Sequence, residues 1–141
     1  MMFAEKILDS TVQRLRNASQ ALLRLHKTLL AYERQAYERA GGRIANNYQF
    51  LQLVMRDKWF AWLHHLSKLV AQIDEMLDAK ESPLESDALA LIDQARFLLV
   101  PSQSGDEFQR KYFDSLQQSP DVVLAHSEVV KFLGKSRSEV H

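Results

Sequence analysis

Apolar residues recur at helical spacing along almost the whole chain, and only four glycines and three prolines are available to interrupt them. Leu8, Leu15, Leu22, Leu29 and Ala36 stand seven apart. Val12, Ala18, Leu25, Leu30 and Tyr32 flank that line when successive side chains are set about 100° apart. The apolar arc therefore spans close to half the helix, with Arg16, Arg24, Lys27 and Arg34 together on the opposite side. A stripe that broad packs against more than one neighbour, as in a bundle. Gly41-Gly42 follows it and predicts its stop.

The next segment carries Ile44, Tyr48, Leu51, Met55, Trp59, Trp62, Leu66, Leu69, Ile73 and Met76, spaced by three or four throughout. The stripe keeps phase across Arg56-Asp57-Lys58, which predicts one helix of about 35 residues. Asp57 offers the alternative, because its side chain suits the cap of a separate helix beginning at Lys58.

Three shorter helices follow from local start signals. Ser82-Pro83-Leu84-Glu85 sets serine as N-cap, proline at the first position and glutamate three residues beyond the cap. Ser104-Gly105-Asp106-Glu107 repeats the Ser-x-x-Glu pattern, Ser119-Pro120-Asp121 starts a further helix, and Gly134 is placed to end it. No stretch alternates with strand period. The expected fold is all-α: a bundle built on an antiparallel hairpin of two long helices, about 4–40 and 44–80. Helices at about 83–99, 105–117 and 120–133 complete it. Residues 1–134 form a single domain on this reading, and 135–141 a flexible tail.

An apolar share of 46% and a charged share of 26% are ordinary for a globular domain, and no apolar run approaches the roughly 20 residues of a spanning helix. Glu5, Lys6 and Asp9 fall where a signal peptide needs apolar residues, so the expected location is the cytoplasm, away from any membrane. Net charge is zero but unevenly spread. Residues 1–43 hold eight Lys and Arg against four Asp and Glu, a net of +4, whereas residues 74–107 hold two against nine, a net of −7. A neutral chain whose basic ridge lacks interleaved aromatics is not expected to bind nucleic acid. The asymmetry suits attraction between helices, within one chain or between two.

The residue inventory excludes several mechanisms. No glycine-rich phosphate loop or Gly-x-Ser-x-Gly elbow is present, and the absence of cysteine removes thiol nucleophiles and thiolate metal sites. None of the five histidines has Asp, Glu or His three or four residues away, which argues against ferritin-like and zincin sites. No cofactor, metal or enzymatic activity is expected.

One polar pair stands out. His26 and Glu33, seven apart, fall inside the apolar arc of the first helix. Burying them unpaired would cost several kcal/mol. Two readings are open. One is a ligand or metal site in the core, with help from His65 or Asp74 on the facing helix. The other is a structural network, Glu33 bonded to a Tyr or Arg and His26 to a carbonyl. Trp59 and Trp62 lie on the second stripe, as core or as interface anchors, whereas the helix angle turns Phe60 away from the core and makes it a candidate contact residue. The function expected from these features is non-enzymatic: a helical protein acting through self-association, most simply a two-fold homodimer, or through a protein partner. The alternative is a small-ligand or metal-binding bundle centred on His26 and Glu33.

Overall fold

The structure is a computed structural model and describes residues 5–134. It is an all-helical bundle, and among the described residues there is no strand, only one isolated antiparallel bridge between Lys6 and Leu84. Helix α1 spans Asp9–Arg39, a rod of about 45 Å at 1.5 Å per residue. Along it Leu15, Ala18, Leu22, Leu25 and Leu29 are fully buried, in line with the heptad arc. α6 (Pro120–Leu133) and α3 (His64–Leu77) pack along this face, with α4 (Glu85–Leu98) beside them; α5 (Glu107–Gln118) packs on α6.

The N-terminal end of α1 is fastened by residues remote in sequence. Leu8, the N-cap of α1, has no capping side chain of its own. Its N–H donates to Glu85 Oε1 (2.9 Å), and the Thr11 hydroxyl donates to Glu85 Oε2 (2.8 Å). A carboxylate placed there satisfies an orphan donor and complements the positive end of the helix dipole. Ile7 N–H to Pro83 O (2.8 Å) and Glu85 N–H to Glu5 O (2.9 Å) tie the two chain segments together. Less than a turn beyond Thr11, Arg14 donates through Nε to Phe132 O (2.6 Å) and through Nη2 to Leu133 O, at the C-terminal end of α6. Arg96 of α4 donates to Leu133 O and to Gly134 O, and pairs with Asp93. Two guanidinium groups from two helices thus hold the last carbonyls of a third. Gly134 follows with φ +72°, a conformation that suits glycine, as Gly41 does at φ +102° after α1.

The second long helix is broken, and this corrects the hairpin of 4–40 and 44–80. Asp57 is extended (φ −85°, ψ 140°), and its carboxylate accepts from Trp59 N–H (2.8 Å). It separates α2 (Asn47–Arg56) from a 3-10 turn, Lys58–Leu63, that runs directly into α3. The capping alternative at Asp57 is the one observed. The break also changes which side of α2 faces inward. Phe50, Leu53 and Val54 pack against the core, whereas Tyr48, Leu51 and Met55, read as the inner stripe, are exposed at 73%, 53% and 56%.

Two start signals are also relocated. α4 begins at Glu85 with Leu84 as N-cap, because Pro83 and Glu85 are engaged by the N-terminal segment. α5 is capped by Asp106, whose carboxylate accepts from Gln109 N–H (2.9 Å), while Asp106 N–H donates to Gln109 Oε1 (3.2 Å). Ser119 caps α6 with Pro120 in the first turn, as expected. The tail at 135–141 lies outside the described residues.

The guanidinium clamp makes a direct prediction. Arg14→Ala and Arg96→Ala should each lower unfolding stability by about 1.5–3 kcal/mol, the usual range for hydrogen bonds to charged groups. Because both donate to Leu133 O, the double variant should depart from additivity. Urea denaturation of the four proteins measures this. Losses under about 0.5 kcal/mol, the ordinary range of a surface substitution, would show that the clamp is not structural.

Candidate functional site

The residues singled out by sequence do not converge on one place. Glu33 is half-buried on α1 and accepts from Trp62 Nε1 (3.2 Å). Its partner is therefore an indole of the 3-10 turn, neither the Tyr nor the Arg of the network reading. Burial raises the Glu33 carboxyl above its ordinary value; the Trp62 hydrogen bond and the charge of Lys111 offset part of that rise. His26, one face-turn earlier, is half-buried, and desolvation together with the nearby charge of His64 lowers its pKa. His64, at the surface, donates from Nε2 to Val54 O (2.8 Å) and so satisfies a carbonyl in the last turn of α2. Asp74 is elsewhere, accepting from the Ser19 hydroxyl (2.8 Å) to link α3 with α1. His65 is exposed, with its ring edge against Phe108 (6.0 Å, 84°). Among the described residues no group of three or more His, Cys, Asp or Glu is gathered where it could hold a metal ion.

The aromatic candidates are mostly interior. Phe60 is fully buried, which overturns its placement on a contact surface. A 3-10 turn advances by three residues rather than 3.6, so a projection at 100° per residue misplaces it. Phe60 packs against Tyr37 of α1 (5.7 Å) and Phe50 of α2 (5.7 Å, 80°), and the Arg34 guanidinium lies over the Phe50 ring at 4.7 Å. Trp62 is 2% exposed and meets Phe108 of α5 at 5.2 Å. Trp59 is half-buried with its edge to Tyr37 (5.6 Å, 85°). Its Nε1 is buried with no hydrogen-bond partner among the described residues.

A second polar pair escaped the sequence reading. Tyr112 is fully buried, and its hydroxyl lies 2.6 Å from His126 Nδ1. Burial raises the phenol pKa and lowers that of the imidazole. Both effects keep the pair neutral, so one hydrogen bond joins the phenol oxygen to Nδ1, its direction set by the imidazole tautomer. Phe108 stacks on Tyr112 (5.6 Å, 29°), so Glu33, Trp62, Phe108, Tyr112 and His126 form one continuous run of contacts from α1 to α6. The signal was present: His126 is four residues after Val122 and three before Val129, both buried.

Two surface features stand out beside a wider cleft of about 870 Å³ lined by Lys27, Tyr32 and Leu124. One is the outward stripe Tyr48, Leu51 and Met55 on α2. The other is a cleft of about 210 Å³ between α3, α4 and α5, with Leu69, Leu98 and the exposed Phe97 as its apolar lining.

The two shifted groups on α1 act in opposite senses. Glu33 has a raised folded pKa, so its ionisation is penalised in the fold, and stability falls as pH rises from 4.5 through the raised value. His26 has a lowered folded pKa, so the unfolded chain takes the proton first and stability falls as pH drops below 6.5. Relative to the parent, Glu33→Gln should therefore gain stability as pH rises above 4.5, and His26→Leu as pH falls below 6.5. Urea midpoints between pH 4 and 8 check both; parallel pH profiles for parent and variants would remove these groups from the balance.

No protein-family model, curated protein or solved structure matches the chain, so what it does has to be argued from this geometry.

Proposed function

We propose that this chain is a non-enzymatic interaction protein that associates with a second copy of itself through α2. The observation that carries the reading is that α2 is apolar on two opposite faces. Phe50, Leu53 and Val54 pack inward on the 3-10 turn, and Tyr48, Leu51 and Met55 form an i, i+3, i+7 stripe that nothing among the described residues covers. A single exposed apolar side chain is ordinary, but a contiguous helical stripe is the pattern by which helices dock on partners. Leaving apolar area in water costs about 25 cal/mol per Å², and a symmetric second copy is the commonest way of covering it. No helix among the described residues is long and apolar enough to cross a membrane, so the stripe is not part of a spanning segment.

The competing reading, a ligand or metal site centred on His26 and Glu33, has less behind it. Glu33 is already bonded to Trp62, His26 sits beside another histidine, and His65 and Asp74 are engaged with other parts of the fold.

Sedimentation equilibrium tests the proposal. The parent protein should approach twice the 16.3 kDa chain mass at micromolar concentration. The double variant Leu51→Glu/Met55→Glu should remain at the chain mass with unchanged helical circular dichroism, because exposed positions tolerate substitution within about 0.5 kcal/mol. A parent that stays at 16.3 kDa to high micromolar concentration defeats the proposal.

A further inference from the structure

We propose that the α2 stripe of one copy seats in the cleft between α3, α4 and α5 of a second copy, with Tyr48 entering it, so that a two-fold dimer carries two identical contacts. This rests on the reading of α2 as the association surface and specifies what that surface meets.

Exposure is the first ground. Phe97 and Tyr48 are 74% and 73% exposed, the two highest values among the exposed large apolar side chains, and one stands on each proposed surface. A large aromatic that enters a partner's pocket is the usual form of an interface anchor. The cleft suits a tyrosine by chemistry. Leu69, Leu98 and Phe97 supply apolar contact, and Gln72, Gln94 and Gln109 surround them with amides. Those amides are not closed on one another: Gln94 Nε2 reaches Gln72 Oε1 only at 3.5 Å, and Gln109 uses its Oε1 on Asp106 N–H. Amide donors and acceptors therefore remain for a phenol hydroxyl.

Charge decides between this pairing and the simpler one in which two α2 stripes meet each other. Residues 39–58, which contain α2, hold Arg39, Arg43, Arg56 and Lys58 against Asp57 alone. An α2–α2 contact would bring two such basic segments together. The charged lining of the cleft, Lys68 and Asp106, cancels, and α4 adds Glu85, Asp87 and Asp93 against Arg96, a net of −2, so this face lacks the repulsion that a second α2 would meet. A two-fold axis makes the contact twice and so doubles the area it buries.

The test replaces Tyr48 by the photo-cross-linker p-benzoylphenylalanine in the full chain, mixed as isotopically light and heavy copies. The expected products are light–heavy cross-links from position 48 to peptides containing Phe97 or Leu69. Tyr48→Ala and Phe97→Ser should each weaken the dimer about 30-fold or more, and Tyr48→Phe about three- to tenfold. Raising salt from 50 to 500 mM should weaken it as well. A dimer whose position 48 cross-links to α2 of the other copy overturns the pairing and leaves self-association standing. So does a dimer unaffected by Phe97→Ser. A parent protein that is monomeric throughout removes both.

Discussion

The buried leucine ladder of α1 is what the other helices lean on. Leu15, Leu22, Leu25 and Leu29 lie at the centre of a single apolar cluster that takes in residues from α3, α4, α5 and α6. A rod of this length is useful as a spine only if the elements laid along it cannot slide. Hydrophobic contact is non-directional and sets no register. Here directional bonds do so, two sets of them near the start of α1. Glu85 fixes the start of α4 to the start of α1, and Arg14 with Arg96 fixes the end of α6 to α1 and α4. The inner pairs Ser19–Asp74, Glu33–Trp62 and Tyr112–His126 do the same between helices along the length. The polar groups that might have marked a reactive centre are, in this arrangement, spread out as fasteners.

Much of that frame was legible in the sequence, because a broad helical stripe and the glycine that follows each of α1 and α6 leave few alternatives. α1 and α6 are where periodicity, Ser119-Pro120 and Gly134 place them. What was not legible depends on contacts across long separations. No local pattern shows that Glu85 will serve α1 rather than its own helix, or that Pro83 will be held outside α4 by Ile7. The displaced start of α4 follows from those two contacts.

The break at Asp57 is a different kind of case. The residues Tyr48, Leu51, Met55, Trp62, Leu66, Leu69 and Ile73 do share one phase, so a continuous helix was a sound inference from spacing. The α3 half of that stripe is buried as the spacing implies. α2 escapes it because its sequence carries a second apolar face, Phe50, Leu53 and Val54, and the extended backbone at Asp57 lets it turn that face inward. Periodicity identifies a face that can be buried; it cannot choose between two such faces on one short helix. The same ambiguity hid Phe60, which the 3-10 turn rotates into the aromatic cluster of Tyr37, Phe50 and Trp59.

On the proposed association, that choice of face links the stability of α2 to binding. A helix of ten residues is marginal by itself in water. It persists here because Asn46 caps its start (Gln49 N–H to Oδ1, 2.8 Å), His64 satisfies a carbonyl near its end, and one apolar face rests on the 3-10 turn. It contributes no fully buried side chain to the core, so among the helices it is the one that local opening releases most cheaply. A partner that covers Tyr48, Leu51 and Met55 binds only the folded helix, and mass action then stabilises α2 by the same free energy that drives association. On the proposed association, order in α2 and occupancy of its outer face form one equilibrium, and the aromatic cluster of Tyr37, Phe50, Trp59 and Phe60 beneath it is the part of the interior which that equilibrium exposes or seals.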